Sequence, residues 1–307
     1  MTSAHRPLAP DAPIGVFDSG VGGLDVAAEL TLSLPHERLI YLGDGARVPY
    51  GTRTPEEVKR FTEEALITLL KLGVKAVVLA CNTASAWALD ELSQRYHVPI
   101  FGMIEAGVTA TESVARALPP EAPRGVLILA TPRTIDSSAY QRCFRAARNQ
   151  QLGSLTALAC PVFVPLVEAG WADSQISVLS ASRYLQELIE REGEGLREEL
   201  GIALLGCTHY PLLRGAILEG FQRVLGRPVS VVDGARHVAI QLKERLEREH
   251  ALAPAPVPGT PVPSERHMIF TTGDPEQTRA LAERFWRARL GRALPPLRSI
   301  SINERGR

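Results

Sequence analysis

Short runs of Val, Ile, Leu and Ala that do not alternate with polar residues recur along the chain, and stretches with helical periodicity lie between them. The runs are Ile14–Phe17, Leu39–Leu42, Ala76–Ala80, Pro99–Met103, Val126–Ala130, Leu155–Ala159, Ile202–Leu205, Val229–Val232, Met268–Thr271 and Arg298–Ile302. Non-alternating apolar runs of this length are expected of strands covered on both faces. The clearest helical stretch runs from Pro55 to Leu72 and puts Val58, Phe61, Ala65, Leu66, Leu69 and Leu72 on one stripe. Thr54, Pro55 and Glu57 supply an N-cap, a first-turn proline and a capping-box partner. Asp274-Pro275-Glu276-Gln277 repeats that start signal before a helix ending near Leu290. Strand–helix alternation of this kind predicts an α/β fold with largely parallel sheets.

The chain has 307 residues, enough for one large domain or two smaller ones. Lys+Arg and Asp+Glu both number 34, so the formal net charge is zero, which argues against general electrostatic binding to nucleic acid or an anionic membrane. Aromatic residues, at 6%, disfavour a base-stacking platform. No apolar run has the length of a membrane span, and Met1 to Pro13 lacks the apolar centre of a secretory signal. The cysteines at 81, 143, 160 and 207 form no C-x-x-C pair, so free thiols in a cytoplasmic setting are expected, with neither a disulfide framework nor a structural zinc site. Ala251 to Ser264 holds five prolines and no periodicity, and reads as an extended surface loop.

Several segments carry chemistry. Asp18-Ser19-Gly20-Val21-Gly22-Gly23 joins a strand to a helix; its glycines allow close approach of a ligand to backbone N–H groups, or else Asp18 and Ser19 cap the helix. It is neither a dinucleotide fingerprint nor a P-loop. Asp44 to Gly51 follows the second strand, and its Pro49-Tyr50-Gly51 turn is either an ordinary turn or a donor of N–H groups and a hydroxyl. Two strands echo each other: Ala76–Ala80 runs into Cys81-Asn82-Thr83, and Ile202–Gly206 runs into Cys207-Thr208-His209. Each delivers a cysteine past a carboxyl end, where open α/β sheets bind ligands. Polar neighbours at a helix N-terminus favour thiolate, and His209 is placed to exchange protons with Cys207. Cys143 and Cys160 read as structural. His5, His36, His97, His237, His250 and His267 read as surface or satisfied structural residues. Glu168 stands alone in the apolar stretch from Pro161 to Gly170, either exposed by a turn or aimed into a cleft.

Taken together, Asp18–Gly23, Pro49–Gly51, Ala80–Ser85, Ala130–Ile135, Pro165–Glu168 and Gly206–Leu213 resemble the motifs of bacterial glutamate racemase, in the same order, over roughly residues 14 to 290. Thr271–Asp274 is also similar. Ala106 departs from the proline usual there, and the Pro-rich stretch resembles an insertion. The resemblance implies two similar α/β lobes facing each other across an active-site cleft, with residues 1–104 plus 229–307 in the first lobe and 105–228 in the second. It implies a cofactor-free isomerase that interconverts L-glutamate and D-glutamate and supplies D-glutamate for peptidoglycan, and so for cell wall and cell shape. Motif by motif it implies proton transfer by Cys81 and Cys207, assisted by Asp18, His209 and Glu168. Substrate contacts would come from Asp18, Ser19, Tyr50, Gly51, Asn82, Thr83, Thr131, Thr134, Thr208 and His209. Related enzymes are often dimers, so a homodimer is among the expectations.

Racemisation removes the α-proton from one face and returns a proton to the other. Two thiols on opposite faces meet that need without an electron sink. A free thiol is only a few per cent ionised near neutrality, so its surroundings must raise the thiolate fraction of the base. A racemase of another amino acid such as aspartate, and a small-anion binding protein that exchanges no α-proton, are the alternatives.

Overall fold

The computed structural model describes residues 8–148, 151–255 and 266–302. In chain order the first elements are β1 (Ile14–Asp18), α1 (Leu24–Ser33), β2 (Leu39–Gly43), α2 (Pro55–Lys71), β3 (Ala76–Leu79), α3 (Asn82–Arg95) and β4 (Ile100–Gly102). Then follow α4 (Met103–Ala117), β5 (Gly125–Ala130), α5 (Pro132–Asp136), α6 (Ala139–Ala147), β6 (Leu155–Ala159), α7 (Phe163–Glu168), α8 (Gln175–Glu192), α9 (Gly195–Glu199), β7 (Leu200–Gly206), α10 (Arg214–Leu225) and β8 (Ser230–Val232). The chain closes with α11 (Ala235–Arg248), β9 (Met268–Thr271), α12 (Pro275–Leu290) and β10 (Leu297–Ser299). The ten apolar runs of the sequence correspond to these ten strands, with ends shifted by a few residues.

The chain divides into two compact units, Met1–Gly102 with Val238–Arg307, and Met103–His237. The first holds a six-stranded sheet in the order β10-β9-β2-β1-β3-β4, the second a four-stranded sheet in the order β6-β5-β7-β8. Every pairing is parallel. The sequence reading gave residues 229–237 to the first lobe. In the structure they stay with the second, because β8 pairs with β7 through Ile202 and Ser230.

Parallel strands need crossovers, and the helices that make them cover the sheets. β1, β2 and β3 are buried at every position for this reason. The capping box at α2 forms: Thr54 accepts from the Glu57 N–H, and the Glu57 side chain accepts from the Thr54 N–H. Val58, Phe61, Ala65, Leu66 and Leu69 pack from α2 into the core beneath β1 and β3. Each large side chain so placed contributes on the order of 1.5–3 kcal/mol. Leu72, expected on this stripe, lies past the end of α2 and is 38% exposed. Gly15 lets α2 approach β1: a Cβ there would stand 3.2 Å from Leu69 and Val74.

The Pro-rich stretch begins differently from the free surface loop expected. Ala251 is buried, its N–H donates to the Leu246 carbonyl, and the Ala253 N–H donates to Glu37. Residues 256–264 of that stretch, and His5, lie outside the described residues. Among the described residues, no helix is long and apolar enough to cross a membrane.

Candidate active site

In the first unit the carboxyl ends of β1, β2 and β3 lie side by side, since Phe17 pairs with both Leu42 and Leu79. Chain reversals at these ends place Asp18, Asp44 and Cys81 along one edge of the sheet. Asp18 is fully buried and accepts the Gly20 N–H at 2.9 Å. It does not cap α1: the N-cap there is Gly23, with no side-chain cap bond. Gly23 has to be glycine, because a Cβ would stand 2.6 Å from the Asp18 Cβ and 2.9 Å from the Ala80 Cβ. The turn therefore packs directly against the acid.

Cys81 is the N-cap of the 14-residue helix α3 and is 5% exposed. Its Sγ accepts the Ala84 N–H at 3.5 Å and lies 3.5 Å from the Ser19 hydroxyl. An N-cap sulfur that meets a first-turn N–H sits at the positive end of the helix dipole. Asn82 and Thr83 open α3 and are almost entirely buried.

Asp44 is the element that sequence reasoning missed. It is fully buried and accepts the Tyr50 hydroxyl at 2.6 Å, Arg47 Nε at 2.6 Å and the Thr272 hydroxyl at 2.8 Å. Arg47 also bonds Glu64. The turn at Tyr50 and Gly51, preceded by a cis Val48–Pro49 bond, is thus tied to the end of β9. Burial, and then Asp44, push the Tyr50 phenol far above its usual range, so its proton stays on the bond to Asp44. The hydroxyl expected to serve an anionic ligand is committed to this carboxylate. The segments Asp44–Gly51 and Thr271–Asp274 were both visible in the sequence. Their meeting across more than 200 positions was not.

In the second unit the carboxyl ends of β6, β5 and β7 align, with Ala130 paired to Ala159 and Gly206. Thr131 follows β5 as the N-cap of α5, and its hydroxyl lies 3.0 Å from that of Thr134. Cys207, Thr208 and His209 follow β7 and are 7–8% exposed. Cys207 is not held as Cys81 is. The turn after it leads into a short 3-10 helix at Tyr210–Leu213, and α10 starts only at Arg214, so the expected helix N-terminus is absent at this sulfur. His209 Nε2 lies 3.2 Å from Glu168 Oε1 at the end of α7. The imidazole is buried, whereas the Glu168 side chain is 47% exposed.

Tyr210 fixes this edge from below, donating to the Cys160 carbonyl at 2.9 Å and stacking edge-on against Phe163. Cys160 is fully buried, and burial drives its thiol far up. Burial, then Glu105 and Glu112, push the Cys143 thiol in α6 up to about 11. Cys143 belongs to α6, whereas Cys160 directly follows β6 at the same sheet edge, near enough to Cys207 for their charges to interact. The structure thus gathers Asp18, Ser19, Cys81, Asn82 and Thr83, with Tyr50 and Gly51 on the Asp44 turn, in one unit. It gathers Thr131, Thr134, Glu168, Cys207, Thr208 and His209 in the other. Among the described residues, no group of three or more His, Cys, Asp and Glu side chains stands where it could hold a metal ion.

A family model described as Asp/Glu/hydantoin racemase matches residues 24–242. The chain is 40% identical over 298 residues to a glutamate racemase of Thermus thermophilus, covering 96% of this chain and 98% of that protein. A crystal structure of glutamate racemase from Thermus thermophilus in complex with β-chloro-D-alanine is 40% identical, with a TM-score of 0.72 over 95% of this chain and 98% of that one. One from Francisella tularensis in complex with D-glutamate is 29% identical, with a TM-score of 0.78 over 96% and 99%.

Proposed function

The chain belongs to the Asp/Glu/hydantoin racemase family, and from that membership we propose that it interconverts L-glutamate and D-glutamate without a cofactor, using Cys81 and Cys207 as the two proton-transfer groups. It is an isomerase of the glutamate racemase kind. The observation that supports the cysteine assignment best is that Cys81 and Cys207, 5% and 8% exposed, each stand just past the carboxyl end of a strand among polar residues, whereas the fully buried Cys160 past β6 turns its thiol back to the Leu158 carbonyl. Ser19 stands beside one, and the His209–Glu168 pair begins two residues after the other.

In this reading one sulfur acts as thiolate and takes the α-proton. The C–H bond breaks, an S–H bond forms, and the electron pair stays on Cα and its carboxylate. The other thiol gives its proton to the opposite face, and the two sulfurs have then exchanged protonation states. The α3 N-terminus favours negative charge at Cys81. Backbone N–H groups and the hydroxyls of Ser19, Thr83, Thr131, Thr134 and Thr208 offer donors for substrate carboxylates, and Asn82 offers both a donor and an acceptor. Fixed donors of this kind lower the cost of the carbanion only where water is excluded. Asp18 accepts, and so suits the substrate ammonium. The product D-glutamate is assigned to peptidoglycan synthesis.

Protein dialysed against chelator, given L- or D-glutamate in deuterated water, should racemise each and carry deuterium at Cα without added cofactor. Turnover that needed pyridoxal phosphate would overturn the cofactor-free mechanism. The matched family model also names aspartate. Faster racemisation of aspartate in the same assay would move the substrate assignment to it.

A further inference from the structure

Gly20 is held through both its N–H and its carbonyl by side chains of neighbouring strands. Its N–H donates to Asp18, at the end of β1. Its carbonyl accepts the Tyr41 hydroxyl of β2 at 2.9 Å. Gly43 permits the approach, since a Cβ there would stand 2.1 Å from the Gly20 oxygen. Ser19, one residue before this pinned glycine, lies 3.5 Å from the Cys81 sulfur. Tyr41 is 1% exposed, so its hydroxyl serves no solvent and meets no ligand directly.

We infer that Tyr41 is a positioning residue for the Cys81 half of the racemisation: its hydroxyl fixes the Gly20 carbonyl, and through that residue sets the distance between Ser19 and Cys81. The inference rests on the proposed two-cysteine reading. Burial, and then the proximity of Asp18 and Cys81, hold the phenol well above its usual range, so it remains a donor wherever the enzyme works. Tyr41 and Gly20 both belong to the first unit, the unit that holds Cys81.

This asymmetry has a readout that general loosening would not give. Enantiomers have equal free energy, so kcat/KM for the two directions must stay equal in any variant. The isotope effects need not. Deuterium at Cα of D-glutamate reports the step in which, by the assignment that the family resemblance carries, Cys81 takes the proton. Deuterium at Cα of L-glutamate reports the Cys207 step. Tyr41→Phe keeps the ring and removes the hydroxyl. It is expected to lower kcat/KM about 10- to 100-fold, the usual cost of misplacing a reacting group by up to an ångström. The isotope effect on D-[2-²H]glutamate should rise and that on L-[2-²H]glutamate should fall. Ser19→Ala reads the same link from its other end and should shift the two effects the same way, even if Tyr41→Phe fails to fold. Unchanged isotope effects, or effects that move together, would overturn the inference. Wild-type protein showing no isotope effect with either enantiomer would instead overturn the racemisation reading beneath it.

Discussion

At the scale of single residues, the two thiols are set up differently. Cys81 caps a long helix and touches a hydroxyl, whereas Cys207 precedes a 3-10 turn and stands near a buried imidazole paired with an exposed carboxylate. The His209–Glu168 bond therefore has an uneven character. Removing the imidazole deletes a buried group that assists proton transfer in the proposed reaction. Removing the carboxylate deletes only its solvent-screened partner. His209→Asn should cost about 10²-fold in kcat, the lower end for a lost acid–base group. Glu168→Gln should cost about tenfold or less, because a half-exposed charge is screened by water. Steady-state kinetics in both directions check this, and a larger loss in Glu168→Gln than in His209→Asn would contradict it.

At the scale of elements, the sheet edge is supported by contacts far from the chemistry. Lys75, just before β3, is fully buried at its side chain and bonds Glu37 at 2.7 Å, the Pro10 carbonyl at 2.7 Å and the Ala251 carbonyl at 2.8 Å. It gathers the chain before β1, the turn before β2 and the segment after α11. Lys75→Met leaves Glu37 buried without its partner and should cost about 3–5 kcal/mol, as broken buried pairs do. Lys59 pairs with Glu91 where both are 45% exposed, and Lys59→Met should change stability by less than about 1 kcal/mol. Urea unfolding of the two variants makes the comparison, and similar losses would contradict it.

His267, at the start of β9 beside Trp286, gives a pH signature. Burial, then Arg266 and Arg292, hold its imidazole down at about 4 against an ordinary 6.5. The folded state therefore refuses a proton that the unfolded chain binds. Stability is complete above about pH 6.5 and falls as pH drops towards 4, by at most about 2 kcal/mol at pH 5. His267→Phe should flatten the stability curve between pH 7 and 5, and an unchanged curve would refute the assignment.

These elements also show where the sequence was legible. The strands could be read because parallel strands buried on both faces leave unbroken apolar runs, and α2 could be read from its capping box and stripe. The partnership of Asp44 with Thr272, that of Lys75 with Ala251 and the bond from Tyr41 to Gly20 left no local trace. Each joins segments distant in sequence through a polar group in an apolar run or an ordinary turn. The 3-10 turn after Cys207 is not distinguishable locally from a helix start, because polar residues such as Thr208 and His209 suit either.

At the scale of the whole molecule, the order of elements puts Cys81 in the first unit and Cys207 in the second, and the second unit is an insertion between β4 and the first turn of α11. The first unit is closed by β9, which returns to pair with β2. The boundary near residue 229 could not be read locally, since β8 is three residues long and joins whichever sheet offers an edge. The central claim is that Cys81 and Cys207 serve opposite faces of one Cα. A glutamate analogue with a leaving group on its β-carbon loses that group once the α-proton is taken, and no proton has to be returned. Cys207→Ser, which keeps Cys81, should eliminate only from the D-analogue. Cys81→Ser, which keeps Cys207, should eliminate only from the L-analogue. Both should lose racemisation by orders of magnitude, while Cys143→Ser and Cys160→Ser retain it. The enantiomer preference of elimination in the two single variants is the decisive measurement. Opposite preferences are the predicted result; the same preference in both, or full racemisation surviving in either, would contradict the account.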